Sequence, residues 1–355
     1  EHKLISTKNN KILKSSLKNI PLFFYKNLYI HALVILFFFL KFSILTCCEY
    51  SLLKHTKNQA NPKPYFLGSL LGLTPINMKP GHPGIEPTLK IICTHSKYDS
   101  NWRLRTEAAQ WSISPLVDFQ FGFTDRIGFE TVASFTSNFK KTTRSTYIKD
   151  TRFLLGFQVA NDIPNSWTPD FRVNIQETVP TGRYQNLNPN KFGTDITGEG
   201  SFQTGVNFIA QKQFTLKENY LKLKGSIGLL FPHATRLKGL SAYGGCASTR
   251  GKIRPGNKLS IYFSGEYSLT QNWIFAFDTL CNTQSQSKFS GKKGMGKDGQ
   301  IPEVGKPLNI QISFAPQIEY NLSPTFGFNT GVWFTLLGKN SEAFAAGFGA
   351  ILYVF

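Results

Sequence analysis

The chain has 355 residues, a net charge of +19, 32 Phe against 2 Met, 30 Gly and a mean hydropathy of −0.18. A helical membrane protein would lie well above zero hydropathy, and an excess of Phe and Gly suits strands and tight turns better than helices. The basic surplus fits nucleic acid or anionic lipid, but no RNP, zinc-finger or helix-turn-helix pattern accompanies it, so nucleic acid is not expected as a partner.

Residues 1–48 are basic and then apolar, with the run LYIHALVILFFFLKFSILTC at 28–47. A basic region before an apolar core is the layout of a secretory signal peptide, and a membrane helix is the alternative. Lys41 and His31 inside the run count more heavily against the helix. Residues 49–85 are polar and Pro-rich and are expected as a periplasmic lead-in.

From Glu86 onward period-two alternation replaces helical periodicity. It predicts an all-β fold, a transmembrane antiparallel up-and-down β-barrel of about 12 strands over 86–355. The strands are expected near 86–95, 110–123, 127–139, 150–162, 171–181, 202–214, 220–232, 259–269, 273–284, 308–322, 326–338 and 341–355. The segment 308–322 is the clearest. Leu308, Ile310, Ile312, Phe314, Pro316, Ile318, Tyr320 and Leu322 fall on one face, and Asn309, Gln311, Ser313, Ala315, Gln317, Glu319 and Asn321 on the other. At about 3.3 Å per residue this strand spans roughly 50 Å, enough for a tilted crossing of a bilayer.

Short connections are expected near 124–126, 215–219, 270–272 and 323–325, and long ones near 140–149, 182–201, 233–258 and 285–307. Short turns on one side and long loops on the other are the anatomy of outer-membrane barrels, and an even strand count puts both ends of the barrel on the periplasmic side. A soluble barrel or a pair of sandwich domains would also alternate, but with the apolar face inward and with shorter strands.

The sequence given ends in ILYVF. Phe355, Tyr353 and Ile351 stand at alternate positions, like the terminal signal that barrel-assembly machinery reads. Closure of this strand on the first would remove an otherwise open apolar edge.

The polar faces carry Lys90, Arg152, Arg172, Lys222 and Lys224 against Asp118, Glu130, Glu266, Asp278 and Glu319. This even balance gives no strong ionic selectivity. It suits either a polar pore or a lumen cross-braced by ion pairs, and twelve strands enclose a narrow or partly plugged channel. Surplus positive charge falls in the loops, at Lys140, Lys141 and Arg144, at Arg250, Lys252, Arg254 and Lys258, and at Lys288, Lys292, Lys293 and Lys297. These are expected either to meet lipopolysaccharide phosphates or to stand as solvated loop charge.

No catalytic, metal or cofactor constellation emerges. His82, His95 and His233 lie in no nucleophile motif, and the cysteines lack zinc spacing. Cys93, Cys246 and Cys281 read as unrelated thiols, with a Cys246–Cys281 disulfide as the alternative in an oxidising compartment.

The stretch 150–208 contains Pro180-Thr181-Gly182-Arg183-Tyr184 and then Gly193, Asp195, Gly198, Gly200 and Ser201. Together with Asp125-Arg126 and Glu86-Pro87 it resembles the family of outer-membrane transporters named for the meta-pathway of phenol degradation. The resemblance spans most of 80–355, apart from the Lys/Gly-rich insert near 285–307. It implies an outer-membrane channel of a Gram-negative bacterium passing small solutes, hydrophobic or aromatic compounds among them, without enzymatic activity. Pro180, Thr181, Gly182, Asp195, Gly198 and Gly200 are weighted as turn chemistry above ligand contact. The alternative function is a non-transporting surface barrel, structural or binding, that works through its basic loops.

Overall fold

The computed structural model describes residues 63–68 and 71–355, so the segment at 1–48 lies outside the described residues. Among the described residues, sixteen strands and one short 3-10 turn (Pro189–Lys191) make up the regular structure. Twelve strands are the staves of a barrel: β1 (Gly84–Tyr98), β2 (Leu104–Gly122), β3 (Ile127–Lys140), β5 (Thr151–Ala160), β6 (Asp170–Val179), β7 (Gln203–Leu216), β8 (Asn219–Pro232), β11 (Lys258–Ser268), β12 (Trp273–Gln284), β14 (Asn309–Ser323), β15 (Phe326–Lys339) and β16 (Glu342–Val354). Each pairs antiparallel with the next, and β16 returns to β1 from Gly84↔Val354 to Lys97↔Glu342. The ring is therefore closed, and every stave has a partner on both sides.

The alternation read in the sequence sets the two faces. On β11, Phe263 is 46% exposed while its neighbour Ser264 is 0% exposed. On β14, Ser313, Ala315, Gln317, Glu319 and Asn321 are buried, and the isoleucines Ile310, Ile312 and Ile318 lie on the other, outer face. An exposed apolar exterior around a buried polar interior is the arrangement of a barrel in lipid, the reverse of a soluble one.

At the short-turn end the outer face gathers aromatic rings. Trp273 and Tyr320 lie 4.5 Å apart, Phe121 and Phe123 5.3 Å, Phe326 and Tyr353 6.0 Å, and Tyr353 and Phe355 4.7 Å. The rings beside the short turns thus form one girdle at the membrane boundary. Ile351, Tyr353 and Phe355 are on this exposed face, while Phe344, Phe348 and Leu352 alternate with them toward the interior.

The long-loop end departs from expectation. Strands β1 and β2 run on past residues 95 and 110, because the ladder resumes after a bulge between Thr94 and Ser96, and the connection shrinks to Asp99–Arg103. The expected loop 140–149 is a hairpin. It turns at Lys141, whose φ is 54°, into β4 (Thr143–Ile148), which pairs back on β3. The expected loops 233–258 and 285–307 contain β9 (Thr235–Lys238), β10 (Arg250–Arg254) and β13 (Lys288–Lys292), a separate three-stranded sheet. Cys93, Cys246 and Cys281 are free thiols, so the disulfide does not form.

Candidate functional site

The buried face of the staves holds the lumen charges, because each polar position alternates with a lipid-facing one. Lys90, Asp118, Glu130, Arg152, Arg172, Lys222, Lys224, Glu266, Asp278 and Glu319 all fall on this inner face. They do not form one cluster. Arg172 pairs with Glu130 at 3.9 Å across the β3/β5/β6 wall. Lys222 pairs with Glu266 at 3.6 Å across the β8/β11 wall. Lys224 lies over the Tyr262 ring at 5.2 Å, and Lys90 over the Trp333 ring at 5.7 Å. Asp278 accepts hydrogen bonds from Tyr262 and Gln317. Four of the charges thus form two cross-braces, Arg172–Glu130 and Lys222–Glu266, between staves.

The segment before β1 supplies what the sequence left unread. Of the expected periplasmic lead-in, residues 63–68 and 71–85 are described; between Tyr65 and Met78 they run against the inward face of the barrel, and residues 79–82 are exposed at its rim. The Tyr65 amide donates to Gln271 O at 3.0 Å, and Asn321 donates to Tyr65 O. The Phe66 ring lies 4.2 Å beneath the Lys222 ammonium. Leu71 N reaches Asp278 Oδ2 at 3.2 Å, Arg172 Nη1 donates to Thr74 O at 2.8 Å, and Asn77 N donates to Gln158 Oε1 at 3.3 Å. These partners sit on β14, β8, β12, β6 and β5, so the segment traverses the lumen from wall to wall as a plug. Its exposed backbone polar groups are met by inward side chains, as buried backbone requires.

Two inward glycines make room for it. A Cβ at Gly122 would strike the Met78 carbonyl, and one at Gly128 would lie 2.6 Å from Asn77 Oδ1. Beside the plug at the short-turn end is a cavity of about 510 Å³, bordered by Asn77, Lys79, Asp162, Asp170, Gln211 and Lys222.

The glycine-rich motif builds a second feature, at the long-loop end. Asp150, between β4 and β5, accepts from Gly182 N through Oδ1 at 2.9 Å and from Glu199 N through Oδ2 at 2.8 Å. Thr181 Oγ1 donates to Lys149 O at 2.6 Å, and Arg183 N donates to Thr197 Oγ1 at 2.9 Å. Gly182 and Gly198 pack backbone to backbone, where a Cβ on Gly182 would lie 2.6 Å from Thr197 O. Gly200 has φ +69°, open to glycine at little cost. Asp195 is fully buried and accepts from Asn188 N at 3.0 Å. Pro180 leads the chain out of β6. The motif residues therefore form a clasp in the β6–β7 loop, with Asp150 at its centre. Burial pushes the Asp150 carboxyl above the usual aspartate range, and the Glu199 and Gly182 N–H bonds pull it partly back.

Neither a family model nor a curated protein matches the chain. Among solved structures, the COG4313 outer membrane channel from Pseudomonas putida F1 superposes with a TM-score of 0.62 at 11% identity, over 81% of this chain and 100% of that one. The fold is shared with a barrel of the outer membrane. This chain has the fold of an outer-membrane β-barrel. The translocator domain of the autotransporter NalP from Neisseria meningitidis (TM-score 0.40, 7% identity, 79% of this chain and 91% of that one) and a mutant of the TodX monoaromatic hydrocarbon channel (TM-score 0.38, 12% identity, 78% and 91%) are too distant for their likeness to carry an argument. The lipid around the exterior of this outer-membrane barrel follows from its apolar belt.

Proposed function

We propose that the protein is an outer-membrane channel for passive passage of small solutes, hydrophobic or aromatic compounds among them. The observation that carries this reading is a closed barrel with a polar, charged interior, crossed by one chain segment with a cavity beside it. Charges paired within the wall, as in Arg172–Glu130 and Lys222–Glu266, leave a passage with little net field, which favours neutral solutes over ions. The resemblance to the phenol meta-pathway family suggests aromatic solutes. The solute class is a proposal, as is membership of that family.

In this reading the short-turn end is periplasmic, residues 1–48 serve as the signal segment, and residues 63–68 and 71–78 close the passage from the periplasmic side. Uptake of small neutral aromatic solutes into proteoliposomes tests the proposal. Entry faster than through protein-free vesicles, and faster again when the plug is removed, supports it. Equal rates in all three would overturn it.

The second reading, a surface barrel that binds rather than transports, is favoured by the plug itself and by the folded, basic sheet at the opposite end. It requires that solute flux stay at the background rate after the plug is deleted.

A further inference from the structure

The three-stranded sheet outside the barrel carries a feature that the channel reading does not use. Cross-strand partners share a face. The registers Lys238↔Arg250↔Lys292, Arg236↔Lys252↔Ser290 and Arg254↔Lys288 therefore place seven cations on one side of β9, β10 and β13. All seven are exposed, and none takes part in an ion pair among the described residues. Strand spacing and rise make the patch roughly 10 Å by 13 Å. Like charges directly opposite one another cost stability, and an external anion would offset that cost.

The other side of the sheet fixes which way the cations face. Leu237 and Ile253 are buried there with Tyr243, and Phe289 and Val304 pack on them. Tyr243 donates through its hydroxyl to Glu199 O at 2.9 Å. Glu199 in turn pairs with Lys258 at 2.9 Å and donates through its amide to Asp150, so it lies across the mouth between β11 and β5. The apolar side is thus turned toward groups at the mouth, and the cationic side lies opposite it. The sheet order β9–β10–β13 repeats the stave order β8–β11–β12 to which these strands are joined. Directly below, those staves expose Phe231, Ile261 and Phe263 to lipid. The long-loop end thus carries a densely cationic face above the apolar belt, and in outer-membrane barrels that end lies at the outer leaflet.

We infer that this outer face of the β9–β10–β13 sheet is a binding site for the phosphates of the outer-leaflet glycolipid, the lipid A and inner-core region of lipopolysaccharide. The site is narrower than the loops as a whole. Lys140, Lys141 and Arg144 belong to the β3–β4 hairpin, and Lys293 and Lys297 lie beyond the end of β13. The inference rests on the outer-membrane placement and not on transport, so it stands or falls separately from conductance.

The test uses the full-length protein in detergent, with lipopolysaccharide binding measured by a tryptophan or surface-plasmon readout. The variant Arg250→Gln/Lys252→Gln/Lys292→Gln is compared with Lys140→Gln/Lys141→Gln/Arg144→Gln, which removes the same charge elsewhere. Heat-modifiable gel mobility confirms that both fold. The sheet variant should lose about fivefold in affinity for each cation removed, the hairpin variant less than about twofold in total, and dephosphorylated lipopolysaccharide should bind both and the parent equally weakly. Equal losses in the two variants would mean diffuse charge and overturn the site. So would an unchanged sheet variant, or a parent protein that binds an oligonucleotide or an acidic peptide as tightly as lipopolysaccharide.

Discussion

Arg172 donates through Nη1 to the carbonyl of Thr74 at 2.8 Å, which ties the wall of the barrel to the segment that crosses it. The same guanidinium faces Glu130 at 3.9 Å, with both side chains almost fully buried. One residue therefore both braces two walls and holds the plug.

These roles separate by mutation. Glu130→Gln leaves the Thr74 contact but strips the counter-ion from a buried cation, so it should cost about 3 kcal/mol of barrel stability with the plug still seated. Arg172→Met, paired with Glu130→Gln, removes the unpaired charge and should recover much of that loss while freeing the plug. Heat-modifiable mobility reads the first effect, and protease access to residues 71–82 reads the second. Equal plug protection in both variants would contradict the assignment.

A disulfide can lock the plug in place. Asn77 Cβ lies 3.3 Å from the position a Cβ would take on Gly128, near the separation a disulfide needs. The pair Asn77→Cys/Gly128→Cys should oxidise readily, and solute flux through proteoliposomes should fall to background and return on reduction. Flux unaffected by oxidation would place the passage somewhere other than past this segment.

The lipid face has its own test. Phe263→Arg puts a cation on the exposed side of β11 and should cost about 2–4 kcal/mol near the bilayer midplane. The adjacent Ser264→Arg points into the lumen, where crowding rather than lipid opposes it, and its cost should not change with bilayer thickness. Urea unfolding into vesicles of two acyl lengths distinguishes the two.

Asp150 anchors two strand exits at once. Asp150→Ala leaves the Gly182 and Glu199 amides without their acceptor and should weaken the β6–β7 clasp by about 2 kcal/mol. The expected sign is faster proteolysis between residues 183 and 198, with the barrel still heat-modifiable. An unchanged cleavage rate would show that the glycine packing holds the loop alone.

Much of the barrel was legible because one physical rule, lipid outside and polar inside, writes itself at every second residue. The alternation from Leu308 to Leu322 foretold β14 to within a residue. Where that rule stops, the sequence is quieter. Strands β9, β10 and β13 are only four or five residues long and are studded with Lys and Arg, so they read as loop. The plug has no periodicity, because its partners are scattered over five staves. Its one local trace is the pair of inward glycines, Gly122 and Gly128, which look like ordinary turn residues until Met78 and Asn77 are seen against them. The motif from Pro180 to Gly200 was readable as turn chemistry, but Asp150, which organises it, lies some thirty residues upstream.

The most direct measurement is the conductance of single molecules in planar bilayers, for the full chain and for a form lacking residues 63–78. The account requires small or rare current steps from the full chain and larger, stable steps from the shortened one, with weak discrimination between cations and anions. A shortened protein that folds, inserts and still passes no current would contradict it.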